Sequence, residues 1–193
     1  VVVCYRFHDG SSFTGRCRVG TVSGTSMSFG TEVQFQNNNV VSDGITFDSN
    51  SNKVVILYKH NDDSSKGKCI VGTVSGTDIS FGTAVAFTTS NSRPQTLTFD
   101  SNSNKIVIAY SDSTNANYLA AVVGTVSGTS ISFGSKVAVA SVTVTDPALI
   151  FETQNNQVVL AYTDGSNTDV GRIVAGNVSG TSISFDNPIE FNS

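Results

Sequence analysis

In 193 residues the chain has only 13% charged side chains and a net charge of −4. A partner held through a phosphate backbone needs clustered Lys and Arg, so nucleic acid binding is not expected. No apolar run approaches the roughly 20 residues of a membrane-spanning helix, so membrane insertion is not expected either.

The first predicted element is Val1 to Tyr5, an apolar strand that runs to a turn at Asp9-Gly10. A hairpin centred near Gly10 and Ser11 brings Cys4 opposite Cys17, which suits a cross-strand disulfide and an oxidising compartment. Cys17 and Cys69 also share one sequence position, where later copies carry Ala121 and Ile173, so a small buried side chain is the plainer reading. Three cysteines leave one unpaired either way.

The next block, Val19-Gly-Thr-Val-Ser-Gly-Thr-Ser-Met-Ser-Phe-Gly30, returns 52 residues later as Val71 to Gly82, again as Val123 to Gly134, and in altered form as Ala175 to Asp186. Its Ser-Gly pair is a tight connection in which Gly reaches a positive φ. Beyond it, Met27, Phe29, Val33 and Phe35 alternate as in a half-buried strand, and Ile79, Phe81, Val85 and Phe87 repeat the pattern. Continuous alternation predicts one shared face, with Gly82 as a bend or a close approach of another backbone. Phe29, Phe81, Phe133 and Phe185 are then expected to be buried between neighbouring units.

A short strand at Gly44 to Phe47 follows, then Asp48-Ser-Asn-Ser-Asn52, whose side chains hydrogen-bond locally and tolerate turn dihedrals. Lys53 to Tyr58 is an unbroken apolar strand, which implies burial on both faces. Phe47 to Tyr58 recurs at Phe99 to Tyr110 and Phe151 to Tyr162. Two unlike blocks locked to one period define a supersecondary unit stacked on copies of itself. Four antiparallel strands at this period predict an all-β fold, a β-propeller of four-stranded blades. The blades would span 1–40 (lacking its first strand), 41–92, 93–144 and 145–193, as one repeat domain.

The blocks Val123 to Gly134 and Phe99 to Tyr110 resemble tandem repeats in large surface or fibre-type proteins of marine microbes and their viruses. The resemblance covers essentially the whole chain. It implies an extracellular or virion-surface setting and is specific for the repeat, not for an activity.

On the 52-residue spacing Val1 aligns with Lys53 and Ser193 with Thr89. One first strand is therefore missing, and the Val1-Val2-Val3 run lies at an apolar edge of the kind soluble proteins cover. Preceding residues of a longer polypeptide, in a ring of six to eight blades, are the expected cover; a neighbouring subunit is the alternative.

Function is less legible. Connections between the second and third strands, and between successive units, vary among the copies, and the other two connections are nearly constant. A rigid scaffold with one variable loop face is a common way to build recognition. That face carries Asp9, Asp43, Asp62, Asp63, Asp112, Asp146, Asp164 and Asp169. With Arg93 and Tyr118, the residues Asp9, Asp62, Asp63, Asp112, Asp164 and Asp169 are the candidate ligand-binding set. No cofactor is expected; Ca²⁺ is the ion these oxygens would suit, although no defined calcium loop is present and turn aspartates commonly cap their own backbone.

The two histidines, His8 and His60, sit in turn-like positions without a zinc spacing or a nucleophile motif. The arginines do not recur at one repeat position, as a sialidase-like hydrolase would need, and Tyr5, Tyr58, Tyr110 and Tyr162 end the apolar second strand. The expectation is a non-catalytic spacer or adhesion module whose partners are further blades or other subunits. A multivalent glycan-binding lectin is the alternative, and part of a sialidase-like hydrolase the second.

Overall fold

The computed structural model describes residues 1–166 and 169–192, with the side chains of Ser42 and Asp43 outside that description. Among the described residues the chain is all strand and connection, with no helix. The first unit comprises β1 (Val2–His8), β2 (Phe13–Ser23), β3 (Ser26–Phe29) and β4 (Val33–Gln36). The second comprises β5 (Val40–Asp48), β6 (Lys53–His60), β7 (Lys66–Ser75), β8 (Asp78–Phe81) and β9 (Val85–Ala86). The third comprises β10 (Ser92–Asp100), β11 (Lys105–Asp112), β12 (Tyr118–Ser127), β13 (Ser130–Phe133) and the first half of β14 (Val137–Glu152). The second half of β14, with β15 (Gln157–Asp164), β16 (Val170–Ser179), β17 (Ser182–Phe185) and β18 (Ile189–Glu190), makes the fourth.

Every pairing is antiparallel, and each unit is a meander of neighbouring strands. β14 does not break at position 144: its first half pairs with β12 and its second with β15, so one strand belongs to two units.

Local chemistry fixes the constant connections. Asp48 Oδ1 accepts the amides of Asn50 and Ser51, each at 3.0 Å, and Asp100 does the same for Asn102 and Ser103. The next hairpin uses Glu152 for Gln154 and Asn155. Each turn ends in a left-handed asparagine, Asn52, Asn104 or Asn156, a conformation that Asn tolerates well. The Ser-Gly connections use Gly24, Gly76, Gly128 and Gly180 with φ between +59° and +61°.

Three apolar cores lie between successive sheets. Val54, Ile56, Tyr58 and Ile70 of the second unit pack with Cys17, Val19 and Phe35 of the first. Val55, Leu57, Cys69 and Val71 leave the opposite face and pack with Ile106, Ile108 and Tyr110. Val107, Ala109, Leu119 and Ala121 pack in turn with Val158, Leu160 and Tyr162. The inner sheets thus bury both faces, which is why β6 reads as uninterrupted Val, Ile and Leu. Each such side chain contributes about 1.5–3 kcal/mol on leaving water.

The fourth strand departs from the expected single face. Phe81 pairs with Gly72 and Val85 with Cys69, so three residues of one chain stand opposite two of the other around Gly82. This one-residue bulge reverses the pleat. Ile79 and Phe81 point to the preceding unit, and Val85 and Phe87 to the following one. The isoleucine, not the phenylalanine, is the fully buried member: Ile79, Ile131 and Ile183 are buried, whereas Phe81, Phe133 and Phe185 are only partly covered. Phe29, on the outward side of the first unit described, is exposed.

Gly82 is also the place of close approach. A Cβ there would overlap the carbonyl oxygen of Thr129, and Gly30 and Gly134 meet Thr77 and Thr181 in the same way. In the first unit the register corrects the expected alignment. Val19 pairs with Val2, and its counterpart Val71 pairs with Val55, so Val1 takes the place of Val54 rather than Lys53. The missing residue is in the hairpin between β1 and β2, one shorter than the copies at β6–β7. Ser193 lies outside the described residues.

Candidate functional site

The variable connections gather at the ends of the second strands, opposite the aspartate-capped hairpins. A polar depression there is a cleft of about 240 Å³ at the junction of the second and third units, lined by Phe87, Thr88–Asn91, Tyr110, Asp112, Thr114 and Lys136. Phe87 supplies one wall because the bulge at Gly82 turns it toward the third unit. Its ring meets Tyr110 edge-on at 5.3 Å and Phe133 at 5.6 Å. Below the β9–β10 connection, Thr88 Oγ1 and Ser92 Oγ both receive the Gly67 amide, at 2.9 and 3.1 Å.

Asp112 ends β11 and is nearly enclosed, with 6% of its surface exposed. Its carboxylate pairs with the Lys136 ammonium and accepts the Thr114 amide at 3.0 Å and hydroxyl at 2.6 Å. Burial pushes its pKa up, but the hydrogen bonds from Lys136 and Thr114 outweigh it, and the net shift is downward. Burial also pushes the Tyr110 phenol up to about 12, so it remains a neutral donor. The cleft therefore offers an aromatic wall, a carboxylate–ammonium pair and small hydroxyls.

The other predicted residues do not converge on it. Asp9 Oδ1 accepts the amides of Ser11 and Ser12, each at 2.9 Å, and the Ser12 and Ser11 backbone bonds hold its pKa down to about 2. Asp62 accepts the Asn39 side-chain amide at 2.6 Å. Asp63 pairs with Lys68 at 2.6 Å and Lys66 at 2.9 Å, whose hydrogen bonds lower it to about 2. Asp164 caps Ser166 and binds Arg172 at 2.9 Å.

Asp169 sits at a left-handed turn position. Arg93 lines a separate depression with Pro94, Gln95, Asp146 and Pro147, where β10 and β14 each carry a register shift. Tyr118 pairs with Asp112 across β11 and β12, outside the cleft lining. Asp43 has no described side chain, and Asn167 and Thr168 of the last variable loop lie outside the described residues. Among the described residues, no three His, Cys, Asp or Glu side chains are grouped as metal ligands. The carboxylates serve their own turns and ion pairs.

Sequence reasoning missed Lys136. Its signal was available: the same repeat position holds Glu32 and Ala84 in the earlier units, a swing in charge at an otherwise plain site. Glu32 is likewise engaged, with Tyr5 and with Arg16. The Tyr5 hydrogen bond, then Arg16, draws the Glu32 pKa down, and Glu32 in turn raises that of Tyr5.

Cys4 and Cys17 are directly opposite in the β1–β2 register and joined by a disulfide, and Cys69 is free and buried. Among the described residues no helix is long and apolar enough to cross a membrane. Comparison with protein-family models, with curated proteins and with solved structures finds no match.

Proposed function

We propose that the chain is a non-catalytic structural module of an extracellular or virion-surface assembly, a run of propeller blades that serves as spacer or adhesion element. The observation that carries this reading is the asymmetry of the stack. Met27, on the outward side of the first unit, is 49% exposed, whereas Ile79 at the same position in the second is 5% exposed. Val1, Val22 and Phe29 are exposed beside it, an apolar face of the kind that marks an interaction surface. Antiparallel meanders stacked with the same Gly–Thr contact at every junction support the blade reading. The Cys4–Cys17 bridge fits an oxidising setting.

A multivalent glycan-binding module is the second reading, favoured by the aromatic wall and the Asp112–Lys136 pair of the loop-end cleft. A glycan array probed with the protein and with Lys136→Ala separates the two. The structural module predicts no retained glycan. Retention that Lys136→Ala abolishes would replace it with the lectin reading.

A further inference from the structure

The junction between the first and second units and that between the second and third carry the same aromatic wall and differ in what stands against it. Phe35 meets Tyr58 edge-on at 5.4 Å and Phe81 at 5.8 Å; Phe87 meets Tyr110 at 5.3 Å and Phe133 at 5.6 Å. At the first junction the next residue is Gln36, whose side-chain oxygen Oε1 accepts the Tyr58 hydroxyl at 3.0 Å. Its side-chain nitrogen donates to the Asn37 carbonyl at 3.1 Å, so this carboxamide is engaged at both ends. At the second junction the same repeat position holds Thr88, whose shorter side chain accepts the Gly67 amide at 2.9 Å. A cleft of about 240 Å³ lies beside it.

Tyr110 lines that cleft with 2% of its surface exposed, and its hydroxyl has no hydrogen-bond partner among the described residues. A buried hydroxyl without a partner is unfavourable, so a ligand that supplies an acceptor gains affinity there. Burial and the Asp112 charge keep the phenol protonated and able to donate. At the rim, Lys136 has three ammonium donors, and its ion pair with Asp112 takes up only one side of that group. The two charges cancel, so the cleft suits a neutral acceptor better than an acid. Its volume is below the roughly 300–1,000 Å³ of sites for drug-sized ligands and matches a single side chain.

We propose that this cleft binds the side-chain carboxamide of a partner polypeptide, a glutamine on the template of Gln36. The incoming amide oxygen accepts the Tyr110 hydroxyl as Gln36 accepts that of Tyr58, and the methylene stem lies against Phe87. The amide nitrogen donates to the carbonyl of Thr89, which stands at the repeat position of Asn37 and lines the cleft. The site is single among the three junctions. Gln36 fills the first from within, and the third has Val139 where the wall residue Phe87 stands. The inference goes beyond the structural-module reading, which turns on glycan retention.

The test titrates the ¹⁵N-labelled protein with the peptide acetyl-Gly-Gln-Gly N-methylamide. Saturable shifts are expected at Thr88–Asn91 and Asp112–Thr114, with none at the Gln36–Tyr58 junction. Replacing the peptide's Gln by Glu or Ala should weaken binding by about fivefold or more, and Tyr110→Phe in the protein should do the same. Thr88→Gln, which supplies the carboxamide from within as at the first junction, should abolish it. No saturable shift, equal binding of the Glu or Ala peptide, or binding unchanged in both folded protein variants would overturn the proposal. Tighter binding of N-acetylglucosamine than of the peptide would also overturn it and make the cleft a sugar site, whereas loss of peptide binding alone leaves the structural-module reading in place.

Discussion

Gly82 lies so close to the backbone carbonyl of Thr129 in the following unit that any side chain there would overlap it. The contact converts one glycine per repeat into the spacer that sets how tightly two sheets approach. Gly82→Ala should therefore destabilise the protein by about 3 kcal/mol through forced separation of the layers. Gly76→Ala, with open space but a φ of +60°, should cost only about 1–2 kcal/mol. Urea denaturation of both variants checks the order.

Phe87 and Phe191 occupy the same repeat position with opposite surroundings. Phe87 contacts Tyr110 and Phe133 across a junction, and Phe191 is exposed. Phe87→Ala should cost about 3 kcal/mol, and Phe191→Ala should stay within about 0.5 kcal/mol of the parent. Thermal melting of the pair is the measurement.

The cross-strand bridge closes a loop with a sequence separation of 13. Reduction, or Cys4→Ser with Cys17→Ser, should lower stability by about 3 kcal/mol. Free Cys69 should not react with thiol reagents in the folded protein, because burial pushes its thiol pKa up and closes access. Labelling with and without denaturant reads both effects.

Burial raises the phenols of Tyr58, Tyr110 and Tyr162, the second of them to about 12. Since the folded-state values lie above the ordinary value of 10, their stabilising contribution is complete below pH 10 and is lost as pH rises through the folded-state value. Absorbance at alkaline pH should show these three tyrosines ionising late, together with loss of structure. At the acid end the sign reverses for Asp63. Its contribution is present above about pH 4 and fades as pH falls toward its folded value of about 2, and Lys68→Met should return that value toward 3.8.

Much of the fold was legible because the repeat averages out local ambiguity: an apolar strand such as Lys53 to Tyr58, seen three times, cannot be a chance run. The turns were legible because Asp48 and Asn52 act on their own backbone. The bulge at Gly82 was not, because period-two alternation survives on paper while the extra residue reverses the pleat, and this misassigned Phe81 and Phe87 to one face. The shortened first hairpin was hidden by the match of Val1 to Lys53, both acceptable strand residues. The candidate site was hardly legible. Its carboxylates look like ligands in sequence, but Asp9 caps its own turn, Asp63 and Asp164 pair with Lys68 and Arg172 across a hairpin, and Lys136 meets Asp112 from a position 24 residues further along the chain.

The central claim is that the units stack as layered meanders in which β6 and β11 are paired on both edges and, among the described residues, β1 on one. Amide hydrogen exchange on the 193-residue protein tests it most directly. Exchange is expected to be fast along β1 and slow along β6 and β11, whose residues occupy the same strand position with both edges paired. Protection of β1 equal to that of β6 would contradict the account, since it would mean that the edge is already covered.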